Sequence, residues 1–249
     1  MEARLPLVLV ALLASTSAAA ANVFDVRNYG SKGNGVVDDT KGTLKAATDL
    51  KRFGNDWIEF GWVNGLTVAG GVIDGQGASS WPFNKCPVRK DCKVLPTSVL
   101  FVNNQNTVVK DLTSVNPKFF HIALLGTKKS GLKISAPSTS PNTDGIHIER
   151  SAGVSITDTH IATGDDCISI GQGNDNVEVA RVQCGPGHGM SVGSLGRYAG
   201  EGDVTRVHVR DMTFTGTMNG VRIKTWENSP QHVTKDQHLE GSEWVETCE

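Results

Sequence analysis

No sign of charge dominates this chain, aromatic residues are scarce, and only one long apolar run occurs; each shortage removes a class of protein. Lysine and arginine number 24 against 26 acidic residues, a formal net charge of −2, without the basic excess of a nucleic-acid or anionic-membrane binder. Aromatic residues make up 6% while glycine occurs 28 times, which favours many tight turns over long helices. The five cysteines, Cys86, Cys92, Cys167, Cys184 and Cys248, include no C-x-x-C pair, and none lies beside a cluster of histidines, so no structural zinc site is expected. No Asn-x-Ser/Thr glycosylation acceptor occurs. GPGHG (185–189) lacks the βαβ surroundings of a dinucleotide site.

The apolar run, Leu5 to Ala14, follows Arg4 and precedes the small residues Ser15 to Ala21. That order reads as a secretory signal over residues 1–21, cut near Ala20 or Ala21. The competing reading is a short membrane anchor, and the run is too short to span a bilayer. Export makes disulfides available, and five cysteines give two pairs with one left over. The remaining chain suits one domain, since 38% hydrophobic residues over this length can fill one core.

Four segments of the second half line up: NTDGIHI (142–148), GDDCISI (164–170), GHGMSVG (187–193) and NGVRIKT (219–225). Ile146 to Ile168 is 22 residues, Ile168 to Met190 is again 22, and Met190 to Val221 is 31, with a longer loop in the last interval. Upstream, Ile122 in FHIALLG precedes Ile146 by 24. A second alternating run follows in each repeat: Leu132 and Ile134, Val154 and Ile156, Val177 and Val179, Val207 and Val209. Apolar residues two apart, bounded by Gly, Asn and Asp, signal short half-buried strands. Helical periodicity after residue 22 is confined to a possible stretch from Leu44 to Arg52. Strands at this period predict an all-β stack of parallel coils; an antiparallel sandwich, the competing architecture, does not need near-identical motifs in register. Coils about 4.8 Å apart would place Asp144, Asp166 and His188, spaced 22 and 22, in one column.

At these residues the sequence resembles a family. NTD (142–144), GDD (164–166), GHG (187–189) and RIK (222–224), in this order and spacing, are similar to the four signatures of the polygalacturonases, glycoside hydrolase family 28. The flanking text SPNTDGIH, ATGDDCISI, CGPGHGMSVGSLG and GVRIKTW looks like the plant branch, in particular its pollen exopolygalacturonase type. VFDVRNYGSKGNGVVDDT and GLTVAGGVIDGQG match family text as well. The resemblance implies a right-handed parallel β-helix, single-stranded and pectin-lyase-like. It also implies inverting hydrolysis of α-1,4-galacturonosyl linkages in de-esterified pectin, without cofactor or metal. A monomer is expected, secreted to the extracellular cell wall, with no nucleic-acid partner and no membrane association once the signal is removed.

Glycoside hydrolysis needs an acid for the leaving oxygen and a base for water. The resemblance makes Asp165 the acid, has Asp144 and Asp166 hold and deprotonate the water, places His188 near the acid, and counts Asn142 among the substrate-binding residues. Inverting enzymes keep their carboxyls roughly 6.5–9.5 Å apart, a range that carboxylates on adjacent coils can meet. Crowding three carboxyls is expected to raise at least one pKa. Asp165 and Asp166 share a cleft only if GDD lies at a bend, because adjacent strand residues point to opposite faces. Arg222 and Lys224, two apart on a strand, project from one face and suit a carboxylate sugar. Singly, these acids pass as turn residues and these cations as a solvated strand face; their shared register is what those readings leave unexplained. Adjacent aspartates also suggest calcium, as in pectate lyases, but the basic pair opposes it. Cys167 and Cys184, which flank the site, are expected to pair between neighbouring coils, and Cys86 with Cys92 to close a local loop.

Two departures from the family are visible. VVDDTK (36–41) runs directly into GTLKAATDL, where the family carries further coils. After RIKTW the family continues through more coils with a substrate-binding tyrosine, whereas residues 227–249 are polar, without strand alternation or tyrosine. The only tyrosines are Tyr29 and Tyr198, and Cys248 has no evident partner. The expected organisation is therefore a signal over 1–21, an incomplete β-helix over 22–226 and a divergent tail over 227–249, with lower stability from open coil ends. A catalytically impaired or non-catalytic form is the alternative to an active hydrolase.

Overall fold

The computed structural model describes residues 22–23, 42–84, 92–126 and 130–230. The expected signal segment, the Lys41 junction, Tyr29, Cys86, Cys248 and the tail from residue 231 lie outside the described residues.

The strands are β1 (Asn22–Val23), β2 (Thr43–Lys45), β3 (Asp56–Gly61), β4 (Leu66–Ala69), β5 (Val72–Asp74), β6 (Thr97–Val102), β7 (Val108–Val115) and β8 (Ile122–Leu125). They continue with β9 (Ser130–Ser135), β10 (Ile146–Glu149), β11 (Ala152–Ala162), β12 (Ile168–Ile170), β13 (Asp175–Cys184), β14 (Met190–Leu195), β15 (Thr205–Phe214) and β16 (Val221–Thr225). From β6 onward the chain alternates between two sheets. One has seven strands in the order β16-β14-β12-β10-β8-β6-β3, and the other has nine along β1-β4-β7-β9-β11-β13-β15 with β2 and β5 beside them. Every described pairing is parallel. The fold is a parallel β-helix.

The register follows the repeat. Ile122 pairs with Ile146, Ile146 with Ile168, Ile168 with Met190 and Met190 with Val221. Two residues on, Ile148, Ile170 and Val192 form the next column. Their side chains are buried and pack on Val154, Ile156, Val177 and Val179 of the opposite sheet. Each column is one apolar position of the repeat, so a single sequence rule fills a continuous core.

Two local readings are corrected. Leu44 to Arg52 forms no helix: β2 ends at Lys45, and Leu50–Arg52 is one 3₁₀ turn, with the Asp49 carboxylate accepting from the Lys51 amide. Leu132 and Ile134 do not align with Val154 and Ile156, because Ile134 pairs with Ile161, five residues further along β11.

That shift exposes a feature of the long strands. In β11 the buried positions are Val154 and Ile156, then Thr159 and Ile161; in β13 they are Val177 and Val179, then Ala180, Val182 and Cys184. The two-residue alternation changes phase at Asp158 and Arg181, which have φ of 55° and 54°. Asp211, φ 55°, takes the same place in β15. A left-handed residue turns the strand, so both halves face the core across a crease. Arg181 bridges the crease by donating Nε and Nη2 to Asp158 Oδ1 and Oδ2 at 2.7 and 2.8 Å.

Turns between sheets are pinned by buried polar side chains. Asn174 donates to the carbonyls of Ile148 and Gly171 at 3.0 and 2.7 Å and accepts from the Ser151 amide at 2.9 Å. Its burial carries no unsatisfied group. A disulfide joins Cys167 to Cys184. No helix among the described residues is long and apolar enough to cross a membrane.

Candidate active site

The polar residues singled out in the sequence gather where strands of the nine-stranded sheet turn into the seven-stranded one. Asp144 precedes β10, Asp165 and Asp166 precede β12, and His188 precedes β14. GDD lies at a bend between β11 and β12, outside both strands. Gly164 permits that bend by close approach, since a Cβ there would sit 2.1 Å from the Ser140 carbonyl oxygen. The turn is tied down by Thr163 Oγ1 to Thr143 Oγ1 at 2.9 Å and by the Gly164 amide to Thr143 Oγ1 at 3.2 Å.

Asp166 is the hub. Its Oδ1 accepts from Ser191 Oγ and from Arg222 Nη2, each at 2.8 Å, and its Oδ2 accepts from Lys224 Nζ at 2.8 Å. Arg222 Nε also donates to Ser191 Oγ at 2.8 Å. Arg222 and Lys224 do project from one face of β16, but both reach inward to a carboxylate that is 1% exposed. Burying a charge requires such pairing.

Asp165 lies closer to solvent, its side chain 18% exposed. Its Oδ1 accepts from the Asp166 amide at 2.8 Å and lies 3.0 Å from His188 Nδ1. Asn142 Nδ2 donates to its Oδ2 at 3.4 Å, and Asn84 Nδ2 donates to Asn142 Oδ1 at 2.9 Å. The loop holding His188 is fastened by Asn219 Nδ2, which donates to the His188 carbonyl at 3.2 Å.

Asp144 carries the electrostatic tension of the site. Burial first, and then the charges of Asp165 and Asp166, hold its carboxyl well above the ordinary range; a hydrogen bond from Ser169 and the charge of Lys224 oppose them. Three acids pressed together in this way retain a proton at a pH where an isolated aspartate has none.

Ligand atoms of Asp165, Asp166 and His188 lie within 4.8 Å of one another. Their surroundings do not suit a divalent cation: Asp166 already meets two cationic side chains at 2.8 Å, whereas calcium sites collect oxygen ligands alone.

Sequence reasoning missed Ser169 and Ser191. They stand in register with His147 and Arg222, so one column runs His147, Ser169, Ser191, Arg222. The signal was available, because counting back from Arg222 by 31 and 22 reaches both serines. Asn84 had no such signal, for it lies outside the repeat.

The model of the glycosyl hydrolases family 28 matches residues 21–239. The chain belongs to that family. Among relatives of this family 28 member is an exopolygalacturonase of Platanus acerifolia, 47% identical over 210 residues, a match covering 82% of this chain and 56% of that protein. A polygalacturonase from Erwinia carotovora ssp. carotovora superposes with a TM-score of 0.65 at 28% identity, covering 74% of this chain and 56% of the other. An endo-xylogalacturonan hydrolase from Aspergillus tubingensis gives 0.67 at 28%, covering 80% and 54%. This family 28 chain thus spans about half the length of the relatives it matches.

Proposed function

We propose that this chain hydrolyses α-1,4-galacturonosyl linkages of de-esterified pectin as a secreted cell-wall enzyme, acting from chain ends as the printed name of its Platanus relative suggests. The observation that carries the reading is the meeting of three carboxyls and two cations at Asp166. A neutral sugar has no use for the cations; a uronate carboxylate accepts from Arg and Lys as Asp166 does.

Asp165, the most exposed of the three acids, protonates the leaving oxygen, and His188 and Asn142 orient it. Asp166 and Asp144 hold the water. Both Asp166 oxygens are engaged in the resting site, so an arriving uronate that draws Arg222 and Lys224 towards itself frees Asp166 to accept from water. The Asp165–Asp166 separation, within 4.8 Å, is shorter than the usual inverting distance and nearer the retaining one of roughly 5–5.5 Å. Burial argues for inversion nonetheless: Asp166 is 1% exposed, which supports action through a small water and opposes direct attack on a sugar carbon.

The test is incubation with polygalacturonic acid, following reducing ends and ultraviolet absorbance, with Asp165→Asn as control. The expected result is reducing ends released as the β-anomer, loss of roughly 10²–10⁴-fold in the variant, and no chelator-sensitive absorbing product. A folded sample without turnover points instead to a non-catalytic family member, and unsaturated products to a lyase.

A further inference from the structure

We propose that His147 is a positioning residue for Asp144, acting through Ser169: its Nδ1–H fixes the Ser169 hydroxyl so that the one hydroxyl hydrogen points at the Asp144 carboxyl. The inference rests on the reading of Asp144 as a water-holding group, and neither His147 nor Ser169 belongs to the four signatures.

The geometry is a line running inward from solvent. Arg150 Nη1 lies 3.2 Å from Glu149 Oε1, which also accepts from Gln172 Nε2 at 3.2 Å. Glu149 Oε2 stands 3.8 Å from His147 Nε2, an electrostatic contact too long for a hydrogen bond. On the far side of the ring, His147 Nδ1 lies 2.8 Å from Ser169 Oγ, and Ser169 hydrogen-bonds Asp144. His147 and Ser169 are paired residues of β10 and β12, so the repeat itself brings them together.

Phe120 stacks on the imidazole at 4.7 Å with an interplanar angle of 26°, and Phe119 stacks on Phe120 at 4.1 Å. Stacking on one face and Glu149 at one edge hold the ring with Nδ1 towards Ser169. A serine hydroxyl has one hydrogen and two lone pairs. If the histidine donates, the serine accepts and its hydrogen is left for Asp144; if the histidine only accepts, that hydrogen is drawn away from the acid. The direction of the first bond decides the second.

Asp144 is faced by Asp165 and Asp166 from the turn before β12 and by Lys224 from β16. His147 is faced by Glu149 from its own strand and by Phe120 and Ser169 from the neighbouring coils. The Ser169 bond therefore opposes burial and two like charges, and without it Asp144 keeps its proton to higher pH. Glu149, in turn, is held below its ordinary range, first by His147 and also by Arg150 and Gln172, against burial. It stays a carboxylate beside the ring.

Carbon-13 NMR of the aspartate carboxyls in the full chain, with Asp144→Asn to assign the signal, follows the titration of Asp144 without requiring turnover. Ser169→Ala and His147→Phe are each expected to move that titration to higher pH. His147→Asn, whose amide can donate from near the Nδ1 position, is expected to bring it back towards wild type. With polygalacturonic acid, the rising limb of kcat/KM against pH moves the same way in the first two variants, with a loss of roughly tenfold on its acid side. The proposal is overturned if His147→Phe leaves the Asp144 titration in place in a folded sample, or if His147→Asn fails to restore it. A wild-type chain that cleaves no polygalacturonate removes the hydrolase reading, while the titration still decides the role of His147.

Discussion

At Asp144 the demands of folding and of chemistry diverge. Its pKa is raised above the unfolded value, so its contribution to stability is fully present below about pH 3.8 and is lost as pH rises through the folded value. Asp144→Asn removes that loss. The variant is expected to match wild type near pH 3 and to be more stable at pH 7, with activity lower by roughly 10²–10⁴-fold. Urea midpoints at the two pH values, beside a reducing-end assay, check both halves; an Asn variant less stable than wild type at pH 7 would refute the electrostatic account. Much of this site could be read from residues, because NTD, GDD, GHG and RIK each keep a fixed offset from a repeated strand. What could not be read is who pairs with whom. Arg222 and Lys224 stand two apart whether they face solvent, substrate or Asp166, and only the inward turn of β16 towards a buried carboxylate decides it.

Among the elements, the long creased strands are where sequence and structure part. The apolar pairs Val154/Ile156 and Val177/Val179 announce a strand, and their register is the observed one. The second halves, Thr159/Ile161 and Val182/Cys184, alternate out of phase with the first and read as turn and loop, since period two assumes a continuous pleat. One left-handed residue per coil restores the pattern, and neither an aspartate nor an arginine advertises φ near 55°. Arg181→Val places a β-branched side chain in that conformation and removes the exposed pair with Asp158. The expected cost is roughly 1–3 kcal/mol. Arg181→Asn, which tolerates the left-handed region, should lose only the pair, within about 1 kcal/mol. Chemical denaturation of the two variants separates backbone strain from charge; equal losses would mean that the crease is not held by φ.

Across the whole molecule, stacking ties the site to stability, because each coil is the support of the next. His121 shows how. It sits in the turn entering β8, fully buried, with Nδ1 2.9 Å from Ser114 Oγ and no partner for Nε2 among the described residues, and its amide donates to the Asp144 carbonyl at 2.9 Å. Burial lowers its pKa to about 3. The unfolded chain takes up a proton near pH 6.5 that the folded coil refuses, so the fold loses stability as pH falls from 6.5 towards 3. Asp144 acts in the opposite sense over the acidic part of this interval, so two groups on adjoining coils partly cancel in the intact protein. His121→Asn can keep the bond to Ser114 while ending the titration. It leaves a small cavity and is expected to be less stable than wild type at pH 7. Between pH 7 and pH 4.5, however, wild type should lose roughly 2–3 kcal/mol more than the variant. Urea midpoints of both proteins at the two pH values measure this difference. Parallel pH dependence would show that His121 takes its proton without unfolding the coil, and that the stack is looser around β8 than its burial implies.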